Sequence, residues 1–283
     1  MKKSKKKTKF HRKKSKVSNK LLIAVSAFLF SGLMVLGSTY AWFVSEDDRT
    51  NHFVGSRLSA EIVEDFEPNF EWSLGTKVKK VVQVKNTGDV PAFIRLRLYE
   101  YLLLFKIDVT DQTGNGNLAV SASEIQPLVK QENPQTWTAA ANAGGTYQYK
   151  NNYYIAKQAV VPKNEADSYK WQDSQREQSA LHWLSLNFPA NIYTKKPTGA
   201  TKNYWLYQDG YFYYSELLQP NEMTEPLLQS VHLRLDAPNK FKGALYKLEP
   251  VMDAHDATRV LLSSWNIQSS SPAYELYSGQ LID

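Results

Sequence analysis

Val78-Lys79-Lys80-Val81-Val82-Gln83-Val84-Lys85-Asn86, Thr87-Gly88-Asp89-Val90-Pro91 and Ala92-Phe93-Ile94-Arg95-Leu96-Arg97-Leu98-Tyr99 form one continuous stretch, and it decides the fold class. Val78, Val82 and Val84 share one parity, with lysines between and around them. Ile94, Leu96 and Leu98 share another, with Arg95, Arg97 and Tyr99 on the opposite face. A period of two with one polar face describes half-buried antiparallel strands. The Asn-Thr-Gly-Asp run, closed by Pro91, is a turn cluster that joins them.

The pattern extends outward in both directions. Leu58, Ala60 and Ile62 alternate upstream, and Glu67-Pro68-Asn69 and Leu74-Gly75 break the chain before the next strand. Near the end Val231, Leu233 and Leu235 alternate, Pro238-Asn239 turns, and Ala244, Tyr246 and Leu248 alternate again. The period then changes. Ala254, Ala257, Val260, Leu261, Ser264 and Trp265 mark one face of an amphipathic helix, with Asp253 as its cap, so a helix is predicted over 253–265 and expected to pack on a sheet. Residues 56–106 and 216–283 therefore read as two halves of a β core.

Between them, residues 107–215 differ in composition. Seventeen of these 109 residues are aromatic, mostly tyrosine, which sets the segment apart as an aromatic-rich α+β insertion. Tyr147-Gln148-Tyr149 and Tyr153-Tyr154-Ile155 flank Lys150-Asn151-Asn152 as a hairpin. Tyr204-Trp205-Leu206-Tyr207 and Tyr211-Phe212-Tyr213-Tyr214 flank Gln208-Asp209-Gly210 as a second. Ser174-Gln175-Arg176-Glu177 has the capping-box spacing and opens a short helix through Leu184. Tyr204, Trp205, Tyr207, Tyr211 and Tyr213 are a candidate recognition surface, because aromatic rows on strands stack on sugars or on protein. The same rows also pack a hairpin against its sheet.

The N-terminus reads as an address. Residues 1–20 hold ten lysines and Arg12 with no acidic residue, and Leu21–Thr39 follows without a charge. A basic n-region (1–20), an apolar h-region (21–39) and small residues at Thr39 and Ala41 are the plan of a secretory signal peptide, 1–41, with cleavage before Trp42. Retained, the same segment is long enough to anchor the chain in a membrane. Either way the lysines stay inside and the rest goes out. The chain carries a formal net charge of +6, but setting aside the 11 basic residues of the tail leaves 23 basic against 28 acidic, a net of −5. The exported part has no electrostatic reason to bind nucleic acid.

The Gly37-Ser38-Thr39-Tyr40-Ala41-Trp42-Phe43 run and Thr50-Asn51-His52-Phe53 carry a resemblance. So do Trp72-Ser73-Leu74-Gly75, Val82–Gly88, Pro91–Arg97, Gly243–Leu248 and the helix to Trp265. The chain resembles the exported biofilm-matrix proteins matured by the SipW-type signal peptidase, the TasA and camelysin group, and within it the BsaA-like matrix proteins. The resemblance covers the signal and both halves of the β core, not 107–215. It implies a jelly-roll-like β-sandwich, a SipW-type peptidase and the membrane as partners during export, and a secreted place in the extracellular matrix or on the cell surface. It also implies assembly with further copies of itself into fibres, with matrix polysaccharide as a further partner. In TasA-like fibres a strand freed by cleavage completes the next subunit. Carried onto this chain, the donor lies in the mature N-terminal segment 42–55, on Trp42, Phe43, Val44 and Phe53. A monomeric cell-surface adhesin or carbohydrate-binding protein is the alternative, and a camelysin-type metallopeptidase a third.

Little in the sequence supports catalysis. The chain has no cysteine and five histidines. That excludes a disulfide framework, thiolate metal sites and a cysteine nucleophile. No H-E-x-x-H, G-x-S-x-G, Walker A or G-x-G-x-x-G occurs, and no cofactor or metal is expected. Asp108, Asp111, Asn115 and Asn117 form an oxygen-rich loop whose spacing misses the EF-hand pattern. A Lys–Asn isopeptide bond from Lys79 or Lys85 requires a buried acid beside the pair.

Overall fold

The structure, a computed structural model, describes residues 57–66, 72–109, 116–120 and 124–282, all within the unit Gly55–Asp283. The signal segment, the cleavage residues Thr39, Ala41 and Trp42, and the donor residues Trp42, Phe43, Val44 and Phe53 lie outside the described residues. No helix among those described is long and apolar enough to cross a membrane.

The chain is mainly β, in two open sheets. The quoted stretch forms β2 (Lys77–Asn86) and β3 (Phe93–Phe105), and the side chain of Asn86 builds the turn between them. Its amide donates to Val90 O and Leu218 O, and its carbonyl accepts from Gly88 N. Gly88 is required there, since a Cβ would stand 2.3 Å from the carbonyl oxygen of Arg57.

The first sheet runs β1 (Ala60–Phe66), β2, β11 (Leu228–Leu233), β7 (Leu184–Asn187), all antiparallel. The second is organised on β3. Along one side β12 (Leu245–His255) pairs with it from Leu245↔Leu103 to His255↔Phe93. The other side is shared by β10 (Tyr211–Tyr214), opposite Arg95 and Leu96, and β6 (Asn152–Val160), opposite Leu102 to Phe105. β9 (Trp205–Gln208) pairs with β10, and β8 (Ile192–Tyr193) lies parallel on β9. β4 (Ala119–Val120) and β5 (Thr146–Tyr149) both pair with β6. Both expected hairpins form, with Lys150 and then Asp209-Gly210 supplying the positive φ of the turns.

Alternation places Val82 and Val84 of β2 against Ile94, Leu96 and Leu98 of β3 in a core shared by the two sheets. The outer face of β3 is covered as well. At one end Phe93 joins α2 (Val260–Ser264) and α3 (Pro272–Tyr277) through Leu261, Trp265 and Tyr277. At the other, Tyr101, Leu103 and Phe105 pack on Trp137 and Ala140 of α1 (Gln135–Ala143) and on Tyr147.

Three local expectations change. The helix predicted over 253–265 shrinks to α2, because β3 is long enough to hold its partner through His255; Asp253 and Ala254 are strand, and Asp253 bonds Arg95 at 2.7 Å instead of capping a helix. The cap at 174 moves to Asp173, whose carboxylate accepts from Gln175 N, and it opens two 3-10 turns, Ser174–Gln178 and Ala180–Trp183, before Leu184 enters β7. Segment 107–215 supplies β7 to the first sheet and β9 and β10 to the second, next to β3.

Candidate functional site

Two strands form one flank of the paired sheets, β1 in the first and β12 in the second. On the opposite flank residues 188–191 carry the chain from β7 directly into β8. In an antiparallel strand the N–H and C=O of one residue point to the same side. Val84 gives both groups to Thr224, Val82 O accepts from Leu227 N, and Asn86 bonds Glu222 and Asn221. These three residues face away from β1, so their partners Ala60, Ile62 and Glu64 point their backbone groups to the outer edge, where no other described strand pairs with them. Ala60 and Ile62 also pack their side chains against the shared core. The β12 edge differs. Leu98 O accepts from Tyr169 N on the side away from β12, so its partner Pro250 faces the free edge and removes a donor from the middle of it. Proline is a known guard of exposed edges, and charge is another. β1 carries no proline over its seven residues.

The aromatic hairpin is spent on packing. Tyr204, Trp205 and Tyr213 are buried, Trp205 completely, while Tyr207 and Tyr211 are half-buried. The Trp205 indole donates to Glu225 O and its ring stands 5.0 Å from Tyr214. Tyr213 meets Trp265 and Tyr277. The Tyr211 ring takes up two cations, Arg95 at 4.0 Å and Arg97 at 3.8 Å. Burial raises the Tyr211 hydroxyl above its ordinary pKa, and the two guanidinium groups oppose that shift. The rings therefore form no exposed row for a sugar to stack on.

Sequence reasoning missed a buried polar centre. Glu100 is 3% exposed and shares the inward parity of Ile94, Leu96 and Leu98. That parity was a legible signal of a carboxylate inside the core. Arg176 reaches it from the 3-10 turn and donates through both terminal nitrogens, Nη2 to Oε1 at 2.8 Å. Nη2 also donates to Leu184 O. The Tyr246 hydroxyl donates to Oε1 at 2.8 Å, and burial, then Glu100, raises its pKa well above the ordinary tyrosine value. A cavity of about 230 Å3 lies over the pair, bordered by Tyr169, Asp173 and Ser179. The two charges pair with each other inside the fold.

The other chemical constellations do not assemble. Among the described residues no three His, Asp or Glu side chains converge as a metal site. His182 contacts Arg234, and His255 contacts Asp256. Of the oxygen-rich loop, Asp111 and Asn115 lie outside the described residues, and the Asn117 amide donates to Gly243 O. The buried lysine of β2 is Lys80, not Lys79 or Lys85, and it pairs with Glu64 at 2.7 Å. Comparison of the chain with protein-family models, curated proteins and solved structures finds no match.

Proposed function

We propose that this chain is an exported structural protein of the extracellular matrix, a jelly-roll-like β-sandwich whose mature form assembles into fibres by strand addition. The observation that carries the reading is the β1 edge, which no other described strand pairs. It offers the backbone groups of Ala60, Ile62 and Glu64 beside apolar side chains of the shared core, with no proline to block pairing. A neighbour's strand satisfies such groups and extends the sheet. Repeated head to tail, the contact is heterologous and gives a filament instead of a closed ring. The donor is the segment from Trp42 to Phe53, freed when a SipW-type peptidase cuts after Ala41. A non-enzymatic role accords with the mutually neutralised Glu100–Arg176 pair.

Electron microscopy and sedimentation of chain 42–283 beside chain 56–283 test this. Filaments from the longer chain alone support the donor. Filaments from both keep the matrix role and discard that donor. Two monomers reject self-assembly. Ile62→Pro in the longer chain tests the acceptor: the missing N–H faces the free edge, so the fold is retained and filaments are lost. Unchanged filaments from that variant would place the contact on another surface.

A further inference from the structure

At the far end of β3 the ladder with β6 is irregular. Leu104 pairs with Gln158 but Phe105 pairs with Ala156, so Lys157 is an extra residue in β6 with no opposite number. A bulge of this kind bends a strand and re-aims its side chains. Beside it lies a cavity of about 250 Å3 lined by Leu104, Phe105, Ile107 and Gln158 together with Lys106, Lys157 and Lys240. Leu104 belongs to the core shared by the sheets and Phe105 to the α1 core, so the floor is apolar. Among the described residues no carboxylate lines the cavity. Among the described residues the three lysines form no salt bridge, and the Lys240 ammonium stands 5.6 Å from the centre of the Phe241 ring. Three cations with no described carboxylate partner around one apolar slot stand out in an exported part whose net charge is −5.

We propose that this bulge pocket binds a small amphiphilic anion, an apolar body of about ring size bearing one phosphate or carboxylate. Size supports the body: an apolar cavity of roughly 150 Å3 accepts benzene, and this one is larger. Charge supports the head, because three lysines line the cavity and, among the described residues, no acid does. The site is separate from the β1 edge and does not depend on fibre assembly.

The test is calorimetric titration of the chain from Trp42, which contains all three cores, with phenyl phosphate, inorganic phosphate and benzyl alcohol. Phenyl phosphate binds at least tenfold more tightly than either of the others. The triple variant Lys106→Gln/Lys157→Gln/Lys240→Gln changes only exposed side chains, keeps its thermal transition and loses on the order of tenfold in affinity, a few-fold for each charge. Ile107→Trp fills the slot and loses binding with the lysines in place. Equal binding of inorganic phosphate would overturn the apolar slot. Equal binding of benzyl alcohol, or undiminished affinity in the triple variant, would overturn the cationic mouth. Failure of phenyl phosphate to bind the unmodified chain would reject the site.

Discussion

Glu100 is the residue at which the fold is most exposed to a single change. A carboxylate inside an apolar core is tolerated only when paired and fully hydrogen-bonded. Arg176 and Tyr246 together supply those bonds, and Arg176 comes from a 3-10 turn. Arg176→Met leaves the charge buried and unpaired, and is expected to cost about 3–5 kcal/mol in urea denaturation. The double variant Glu100→Leu/Arg176→Met removes both charges and falls well short of the sum of the two single losses. A double variant that merely adds the single losses would show that the two groups act independently. Trp205 makes a second residue-level case. It is fully buried, so Trp205→Ala reports on packing, at about 3–5 kcal/mol, and is no test of glycan binding.

Strand edges set what the elements do, and Pro250 marks the difference between them. Its position faces the open side of β12, so Pro250→Val restores a donor there without disturbing the ladder to β3. The variant is expected to associate more strongly than the parent chain in sedimentation, through β12 instead of β1. Unaltered sedimentation would mean that side chains, not the missing N–H, guard that edge. The same element shows where sequence reading stops. Alternation made β2 and β3 legible, and the Asp209-Gly210 turn made the β9–β10 hairpin legible, because both signals are local. The boundary at His255 was not legible. Ala254 fits the strand parity of Tyr246, Leu248 and Met252, and it also fits the helical spacing to Ala257 and Val260. The choice is settled by the thirteen-residue length of β3, some 150 residues upstream. That the aromatic rows can pack was legible, but what covers Tyr204 and Tyr213 was hidden for a like reason. The covering residues Trp265, Ala273 and Tyr277 lie fifty or more residues downstream, and no period within the hairpin announces them.

At the scale of the whole molecule, three cores meet on the two faces of β3, and tyrosines are built into all of them. Tyr277 donates its hydroxyl to Tyr214 O at 2.8 Å in one, and Tyr246 holds Glu100 in another. Burial raises the hydroxyls of Tyr246 and Tyr277 well above the ordinary value of 10.0, and pushes those of Tyr101 and Tyr169 up to about 12. A raised folded-state pKa means that the folded chain keeps a proton the unfolded chain releases. The stability from these groups is therefore complete below pH 10 and is lost as pH climbs from 10 through 12. Lys80 works in the opposite sense. Burial lowers its pKa, against the attraction of Glu64, so its contribution improves as pH approaches 10.5, but it is one group against four. Four tyrosines at about 1.4 kcal/mol each per pH unit remove a stability margin of roughly 5–15 kcal/mol within about two units. An alkaline titration of the chain from Trp42 should therefore show tyrosinate absorbance and loss of β-sheet ellipticity rising together in one cooperative step above pH 10. Smooth ionisation of all sixteen tyrosines of that chain (seventeen less Tyr40) near pH 10 with the sheets intact would show that the cores are open to solvent. A coincident step would show that the three cores unfold as one unit, as their shared strand requires.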